Sequence, residues 1–571
     1  MLPHPRLMPA RLAPLAPFTP LAPLTPLTPL AALAATAAAA ALLAGCASPP
    51  PSPRPPLKLT ILHTNDHHGR FWTNADGEYG LAARKTLIDQ QRAEIAAAGG
   101  YVLLLDGGDV NTGVPESDLQ DAEPDFKGMD RIGYDAMAVG NHEFDKPNAV
   151  LAKQRGWIQF PMLAANIYKD GARMFEPFKL FERGGYKIAV MGLTTDDTNK
   201  MVLPENLRGI VVRPPVDEAA ALVPTLRAQA DMVIATTHMG HYPNGNRGVN
   251  APGDVEMARA VPGLDLVVGG HSQNPVCMSA ENQRNDAYVP GTPCAPDRQN
   301  GAWIVQAHEW GKYLGRADFV IDGGQITLVS YRLLPVNLKR PSAAGATGTK
   351  SANPGFTAAI APDAGLLAFL APFQSAGQAR LGVAVGEVDA LLDGDRFSVR
   401  KQPTNLGTLI ARAMMDKTGA DLAILNAGGV RDSVAAGAIS YRDVLKVQPF
   451  SNTVAVVTLT GAELLDYLRA TARMAPNSGA FAQTAGVQLR IAGNVLQTAQ
   501  VADREIEPAR RYRLAITNFT ATGGDGYPVL KAHPGYVDSG FVDADVLRSY
   551  IAAHSPLKAA DFAPGDAVQR R

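Results

Sequence analysis

Five short apolar runs, each leading straight into Asp, His, Asn or Gln, constrain this chain more than any other feature. Leu59-Thr60-Ile61-Leu62 runs into His63-Thr64-Asn65-Asp66-His67-His68, and Tyr101-Val102-Leu103-Leu104-Leu105 into Asp106-Gly107-Gly108-Asp109. Ala136-Met137-Ala138-Val139 runs into Gly140-Asn141-His142-Glu143, Met232-Val233-Ile234-Ala235 into Thr236-Thr237-His238, and Leu264-Asp265-Leu266-Val267-Val268 into Gly269-Gly270-His271-Ser272-Gln273. Such runs read as buried strands, and the stretches between them read as helices. The segment from Leu57 to about Val336 is therefore expected to be α/β or mixed α+β. In open α/β sheets, sites form beyond the carboxyl ends of strands. Convergence of these ends would gather Asp66, His68, Asp109, Asn141, His238, His271 and Gln273. Taken singly, each has a plainer reading: a His after a strand bonds to a turn, and an Asp after Gly-Gly caps a helix. Five in order point to metal. The donors are oxygen and imidazole without thiolate, which suits Zn, Mn, Fe or Co. Seven donors exceed one tetrahedral ion and fit two ions that share a carboxylate.

Composition narrows the rest. Hydrophobic residues make up 46% of the 571 positions and charged residues 19%, which excludes a mostly disordered chain. A net charge of −1 leaves no global basic field for non-specific nucleic-acid binding, so no nucleic-acid partner is expected. The N-terminus carries Arg6 and Arg11, then 14 apolar or small residues from Leu30 to Leu43, of which only Thr36 is polar. That run is too short to span a membrane and suits a signal-peptide core. It ends in Leu43-Ala44-Gly45-Cys46, which resembles a bacterial lipobox. The resemblance implies a signal over 1–45, cleavage before Cys46 and lipidation of its thiol, followed by a proline-dense tether over 46–56. An ordinary signal with an incidental Cys is the alternative. Prolines at 14, 17, 20, 23, 26 and 29 form a period-three array that favours polyproline II and is atypical of signal sequences. Export to an oxidising compartment leaves Cys277 and Cys294 to pair. They stand 17 positions apart. A bridge of that span would contribute about 3 kcal/mol, whereas two inert thiols would contribute nothing. No other stretch approaches membrane-spanning length.

Residues 340–380 read as linker and helix. From Arg340 to Phe356 there is no periodicity. From Pro362 to Arg380 a helix is expected, with Leu366, Leu367, Phe369 and Leu370 on its apolar side. Pro362 suits a first helical position and Pro372 should kink or interrupt the helix. A second α/β domain follows over 381–571. In it Phe450 and Phe519 sit in polar, Asn-bearing contexts. Read alone, each Phe is core, and Arg396, Arg400 and Arg431 are a solvated face.

The motifs Asp66-x-His68, Gly107-Gly108-Asp109, Gly140-Asn141-His142-Glu143, His238-x-Gly240-His241 and Gly270-His271-Ser272-Gln273 resemble those of dinuclear metallophosphoesterases. The stretches Asn111–Ser117 and Asn274–Cys294 bring the chain closer to the bacterial periplasmic UDP-sugar hydrolase/5′-nucleotidase family. That resemblance implies a four-layer αββα catalytic domain over 57–339 and a C-terminal α/β substrate-binding domain. One metal would be held by Asp66, His68 and Gln273 and the other by Asn141, His238 and His271, with Asp109 bridging. His142 and Asp145 would be the catalytic dyad. His241 stays open between a supporting and a purely structural role. Phe450 and Phe519 would stack a nucleobase, and Arg396, Arg400, Arg431, Asn452, Gly479 and Asp525 would contact substrate. The second domain would rotate on the 340–380 segment to bring substrate to the metals. The implied activity is hydrolysis of nucleoside 5′-phosphates and nucleotide diphosphate sugars with two divalent ions (Zn, Mn or Co). The alternatives are a 2′,3′-cyclic nucleotide phosphodiesterase/3′-nucleotidase and an inert nucleotide-binding lipoprotein. A monomer tethered in the periplasm is expected, and Ala47 after Cys46 is compatible with outer-membrane sorting.

Overall fold

The apolar runs of the first half become two six-stranded sheets. A computed structural model of the chain describes residues 54–202, 206–243, 252–285, 287–340, 355–565 and 568–570. The signal segment, Cys46, most of the tether and residues 341–354 of the linker lie outside the described residues.

The first four strands, β1 (Leu57–Thr64), β2 (Tyr101–Asp106), β3 (Ala136–Ala138) and β4 (Met162–Leu163), are parallel neighbours in that order. Six further strands are β5 (Phe178–Arg183), β6 (Tyr186–Thr194), β7 (Met232–His238), β8 (Leu266–Val268), β9 (Asp297–Gln299) and β10 (Ala302–Val305); shorter strands in small separate sheets lie between some of them. They form the second sheet in the order β9-β10-β8-β7-β6-β5. Then β11 (Tyr313–Asp322) and β12 (Gln325–Pro335) return to the first sheet, with β11 antiparallel to β1.

Side-chain alternation along each strand decides the layers. Leu59, Ile61, Leu103 and Leu105 point one way and meet Ile188, Val190, Met232, Ile234 and Leu266 of the other sheet. Leu62, Leu104 and Met137 point the other way, onto helices α1 (Leu81–Ala97) and α2 (Glu123–Ile132). The far face of the second sheet carries Met191, Val233, Ala235 and Val267 and is covered by α3 (Pro215–Arg227) and α4 (Asp254–Ala260). The result is the expected four layers, helix, sheet, sheet, helix. Strands buried on both faces read as continuous apolar runs, which is why they were visible in the sequence.

Helix α5 (Ala364–Leu381) differs from expectation at its start. Pro362 is not its first residue; Asp363 caps it, accepting from the Leu366 amide at 2.7 Å. An aspartate acceptor for an orphan amide outweighs the φ preference of proline one residue earlier. The helix runs on through Pro372. One missing backbone bond is offset by packing, since Leu366 and Leu370 enter the core under α1 and α2. Arg131 of α2 lies over the Phe369 ring at 3.9 Å.

The second domain is a five-stranded sheet of β13 (Leu422–Asn426), β14 (Thr453–Thr460), β15 (Ala482–Ala485), β16 (Arg511–Thr517) and β17 (Tyr536–Val542), ordered β15-β13-β16-β14-β17. One face packs on α6 (Asn405–Thr418) and α8 (Asp543–His554) through Leu406, Leu409, Leu547 and Ile551. The other packs on α7 (Gly461–Ala472) through Leu464 and Leu468. Cys277 and Cys294 form a disulfide. No helix among the described residues is long and apolar enough to cross a membrane.

Candidate metal centre and interdomain cavity

The carboxyl ends of β1, β2, β3, β7 and β8 come from both sheets and meet at one edge of the sandwich. Glycines permit the approach. A Cβ on Gly107 would sit 2.6 Å from the Gly269 carbonyl oxygen, and one on Gly270 would sit 2.5 Å from that of Gly107. Five of the seven predicted donors have left-handed backbone: Asp66 (φ 50), His68 (φ 50), Asp109 (φ 61), His271 (φ 76) and Gln273 (φ 57). Residues with side chains cost free energy there, and such conformations cluster where a site over-determines them.

Asp109 is the meeting point. Its Oδ2 lies 2.9 Å from His238 Nε2 and 3.8 Å from His68 Nε2. Around His238, the Nδ1 of His271 is 3.2 Å from His238 Nε2 and 3.0 Å from Asn141 Oδ1. Around His68, Asp66 Oδ1 is 3.7 Å from Nε2 and the Gln273 side-chain amide is 2.6 Å from it. His68, Asp109 and His142 offer atoms within 4.8 Å of one another, and so do Asp109, His238 and His271, with Asp109 common to both groups. His142 thus stands with the first group, beside its predicted donors.

Divalent cations fit this donor set. His238 gives its Nδ1–H to the Gly107 carbonyl at 2.7 Å, and His68 gives its own to Thr112 at 2.8 Å. Each therefore turns the lone pair of Nε2 inward, the arrangement in which an outer acceptor fixes a metal-ligating tautomer. Apart from His271, the predicted donors are all buried. So many convergent lone pairs are costly to bury without a cation.

His142 and Asp145 form a tight pair. The imidazole Nδ1–H is directed at Asp145 Oδ2 at 2.5 Å, and Thr112 Oγ1 donates to the same oxygen at 2.6 Å. The His142 backbone amide donates to Asp109 Oδ1 at 2.9 Å, tying the dyad to the donor cluster. Burial disfavours the imidazolium, but the carboxylates of Asp145 and Asp109 outweigh it and hold the pKa of His142 above the ordinary histidine value.

A cavity of about 480 Å³ opens from this edge and is closed by the second domain. Its wall includes Asp109, Asn141, His142, Asp145, His271 and Gln273. It also includes all eight predicted substrate contacts: Arg396, Arg400, Arg431, Phe450, Asn452, Gly479, Phe519 and Asp525. Phe450 stacks on the His142 ring (centroids 5.8 Å apart, planes 11° apart), and Arg431 lies 5.5 Å from the Phe450 centroid. Burial, then the charge of neighbouring Arg396, brings Arg431 down to about 10 and holds Arg400 well below its ordinary value. Cations crowded this way are relieved by an anion.

His241 is not among the clustered donors. It is buried, with Nε2 at 2.9 Å from Asp297 Oδ2, and its carbonyl accepts from Arg284 at 3.0 Å. This supports a structural role. Sequence reasoning assigned no part to Glu143. Its carboxylate accepts the amides of Gly140 (2.7 Å), Val110 (2.9 Å), Asp109 (3.1 Å) and Asn111 (3.3 Å), pinning two strand-end loops together. The Gly140–Glu143 motif was the signal for it. Asn426, whose amide donates to Asp525 at 2.7 Å inside the cavity, carried no signal.

Comparison with known proteins agrees with this layout. The calcineurin-like phosphoesterase family matches residues 59–275, and the 5′-nucleotidase C-terminal domain family matches residues 384–532. The chain is 56% identical over 513 residues to protein UshA of Escherichia coli (strain K12), covering 89% of this chain and 93% of that protein. It is 53% identical over 539 residues to a 5′-nucleotidase of Vibrio cholerae, covering 92% of this chain and 97% of that protein. Among solved structures, a 5′-nucleotidase precursor from Thermus thermophilus superposes with a TM-score of 0.72 at 27% identity, over 90% of this chain and 99% of that one.

Proposed function

The chain belongs to the UshA/5′-nucleotidase family of metallophosphoesterases, and from that membership we propose that it hydrolyses nucleoside 5′-phosphates and nucleotide diphosphate sugars at a site divided between its two domains. The single observation that carries the reading is the shared cavity, in which four of the convergent donors and the His142–Asp145 pair face Arg396, Arg400, Arg431, Phe450 and Phe519. Asp66, His68 and Gln273 would hold one divalent cation, and Asn141, His238 and His271 the other, with Asp109 between them. Zn, Mn and Co are the candidates. Bound there, two such cations supply a nucleophile at neutral pH and neutralise charge on the phosphoryl oxygens.

The chain's own residues do the rest. Asp145 orients the His142 imidazole and favours its protonated form, so Nε2 can donate toward the phosphoryl group or the leaving oxygen. Arg396, Arg400 and Arg431 present planar forks to phosphate and ribose oxygens. Phe450 and Phe519 stack the base, an interaction of about 1–3 kcal/mol that tolerates every base. Catalysis thus belongs to segment 57–339 and recognition to 381–571, with 340–380 as the hinge. A monomer is part of the proposal. Export to the periplasm with a lipid on Cys46 is part of the same proposal; the basic, apolar N-terminus and the lipobox-like Cys46 support it, as does the disulfide.

The test is a substrate panel on protein starting after Cys46. Phosphate release from AMP and UMP, and UMP formation from UDP-glucose, should vanish on chelation and return with Mn, Co or Zn. Activity that survives chelation in metal-free protein would overturn the proposal.

A further inference from the structure

Beside the main cavity lies a second one of about 160 Å³, also between the domains. The two share Gln273, Arg396, Phe397, Arg400 and Arg431, so they meet at the arginine row and at one predicted metal donor. Their remaining walls differ in kind. The main cavity has two phenylalanines suited to a base. The second has the acidic residues Glu309, Asp395 and Asp432, together with Arg70, Trp310 and the predicted donor His68. The Trp310 ring is approached by Arg70 (4.1 Å) and Lys312 (4.3 Å).

Phe397 stands at the junction. It is 68% exposed, the highest value among the exposed large hydrophobic residues described. Its backbone is anchored: Asp395 Oδ1 accepts the Phe397 and Ser398 amides, both at 3.0 Å, and sets the first turn of the short helix Arg396–Val399. An aromatic ring on an anchored backbone, left unburied by the fold and on the wall of two cavities, offers a ligand apolar area of the kind that small-molecule sites use.

We propose that this second cavity is the subsite for the glycosyl group of a nucleoside diphosphate sugar, with Phe397 as its platform; the proposal rests on the nucleotide-sugar activity above. With the nucleoside between Phe450 and Phe519 and the two phosphates along the arginine row, the substituent beyond the second phosphate enters the smaller cavity. The chemistry there selects it. The acidic residues Glu309, Asp395 and Asp432 offer acceptors and Arg70 a donor for sugar hydroxyls. The single Phe397 ring suits one apolar sugar face rather than a second base. Phe397 is therefore a specificity residue for the sugar end and takes no part in bond breaking.

The experiment compares UMP, UDP and UDP-glucose, which share uridine 5′-phosphate and add in turn a second phosphate and the sugar, for the unmodified enzyme, Phe397→Ala and Asp432→Asn; UDP separates the effect of the second phosphate from that of the sugar. Phe397→Ala should lower kcat/KM for UDP-glucose about tenfold more than for UMP or UDP, through KM rather than kcat. Asp432→Asn should shift selectivity in the same direction by a smaller factor. Equal losses on UDP and UDP-glucose in both variants would overturn the subsite. If the unmodified enzyme cleaves UMP but leaves UDP-glucose intact, the nucleotide-sugar reading fails and the subsite falls with it. Normal cleavage of UDP-glucose with unchanged selectivity in the variants would sink the subsite alone.

Discussion

At the residue scale, His142 is the side chain on which two tasks meet. One ring edge is engaged by Asp145, and one ring face stacks on Phe450, so the group proposed to serve the chemistry also touches the ring proposed to stack the base. His142→Ala is expected to lower turnover of AMP by about 10²- to 10⁴-fold, the range for loss of a positioned acid–base group, with bound metal unchanged. Its backbone amide, not its ring, bonds Asp109, so the alanine variant keeps that link. Turnover within twofold of the unmodified enzyme would remove His142 from the mechanism. Glu143 shows the opposite case. It lines neither cavity itself, yet it holds the Asp109 and Asn141 loops through four amides. Its motif was visible in the sequence but its function was not, because an acceptor of several distant amides leaves no spacing pattern along the chain.

At the element scale, the site exists because two sheets end at one place. Strand existence and direction were legible because both faces of each strand are buried and the runs are uniformly apolar. Helix α5 was less legible. Its two prolines suggested a start and a kink or break; the start lost to a cap at Asp363, and the helix continues through Pro372 with Leu366 and Leu370 buried. The strand-end loops of the two sheets press together at Gly107 and Gly270, where each would place a Cβ against a carbonyl oxygen of the facing loop. Gly270→Ala should cost about 1–3 kcal/mol as an overpacking substitution, read as a lower thermal midpoint. It should also lower metal content, because His271 is the next residue. An unaltered midpoint with full metal occupancy would show that the strand ends can part without harm.

At the scale of the whole molecule, two domains share one cavity, and their contact is specific. Arg442 Nε lies 2.8 Å from Glu116 Oε1, and Glu116 is nearly buried while Arg442 is about a quarter exposed. Gly377 of α5 packs on the Glu116 side chain, joining the proposed hinge to the same contact. Arg442→Ala would leave a buried carboxylate without its partner, a change more costly than loss of an exposed ion pair. It should loosen the domain contact and raise KM for AMP several-fold with little effect on hydrolysis of p-nitrophenyl phosphate, which lacks a base. Identical KM values for AMP in both proteins would show that the pair does not help set the domain arrangement.

The sequence alone determined the strands, the residues placed after them and the donor chemistry, because burial on two faces and metal-type side chains both write themselves into local composition. The cysteine pairing followed from count and compartment. Only the tertiary structure decided that Phe450 lies against His142, that His241 turns to Asp297, and that Phe397 lines two cavities at once. Each of these depends on side chains far apart along the chain meeting in space. Such meetings are set by how sheets and domains pack, and no local pattern of residues encodes them.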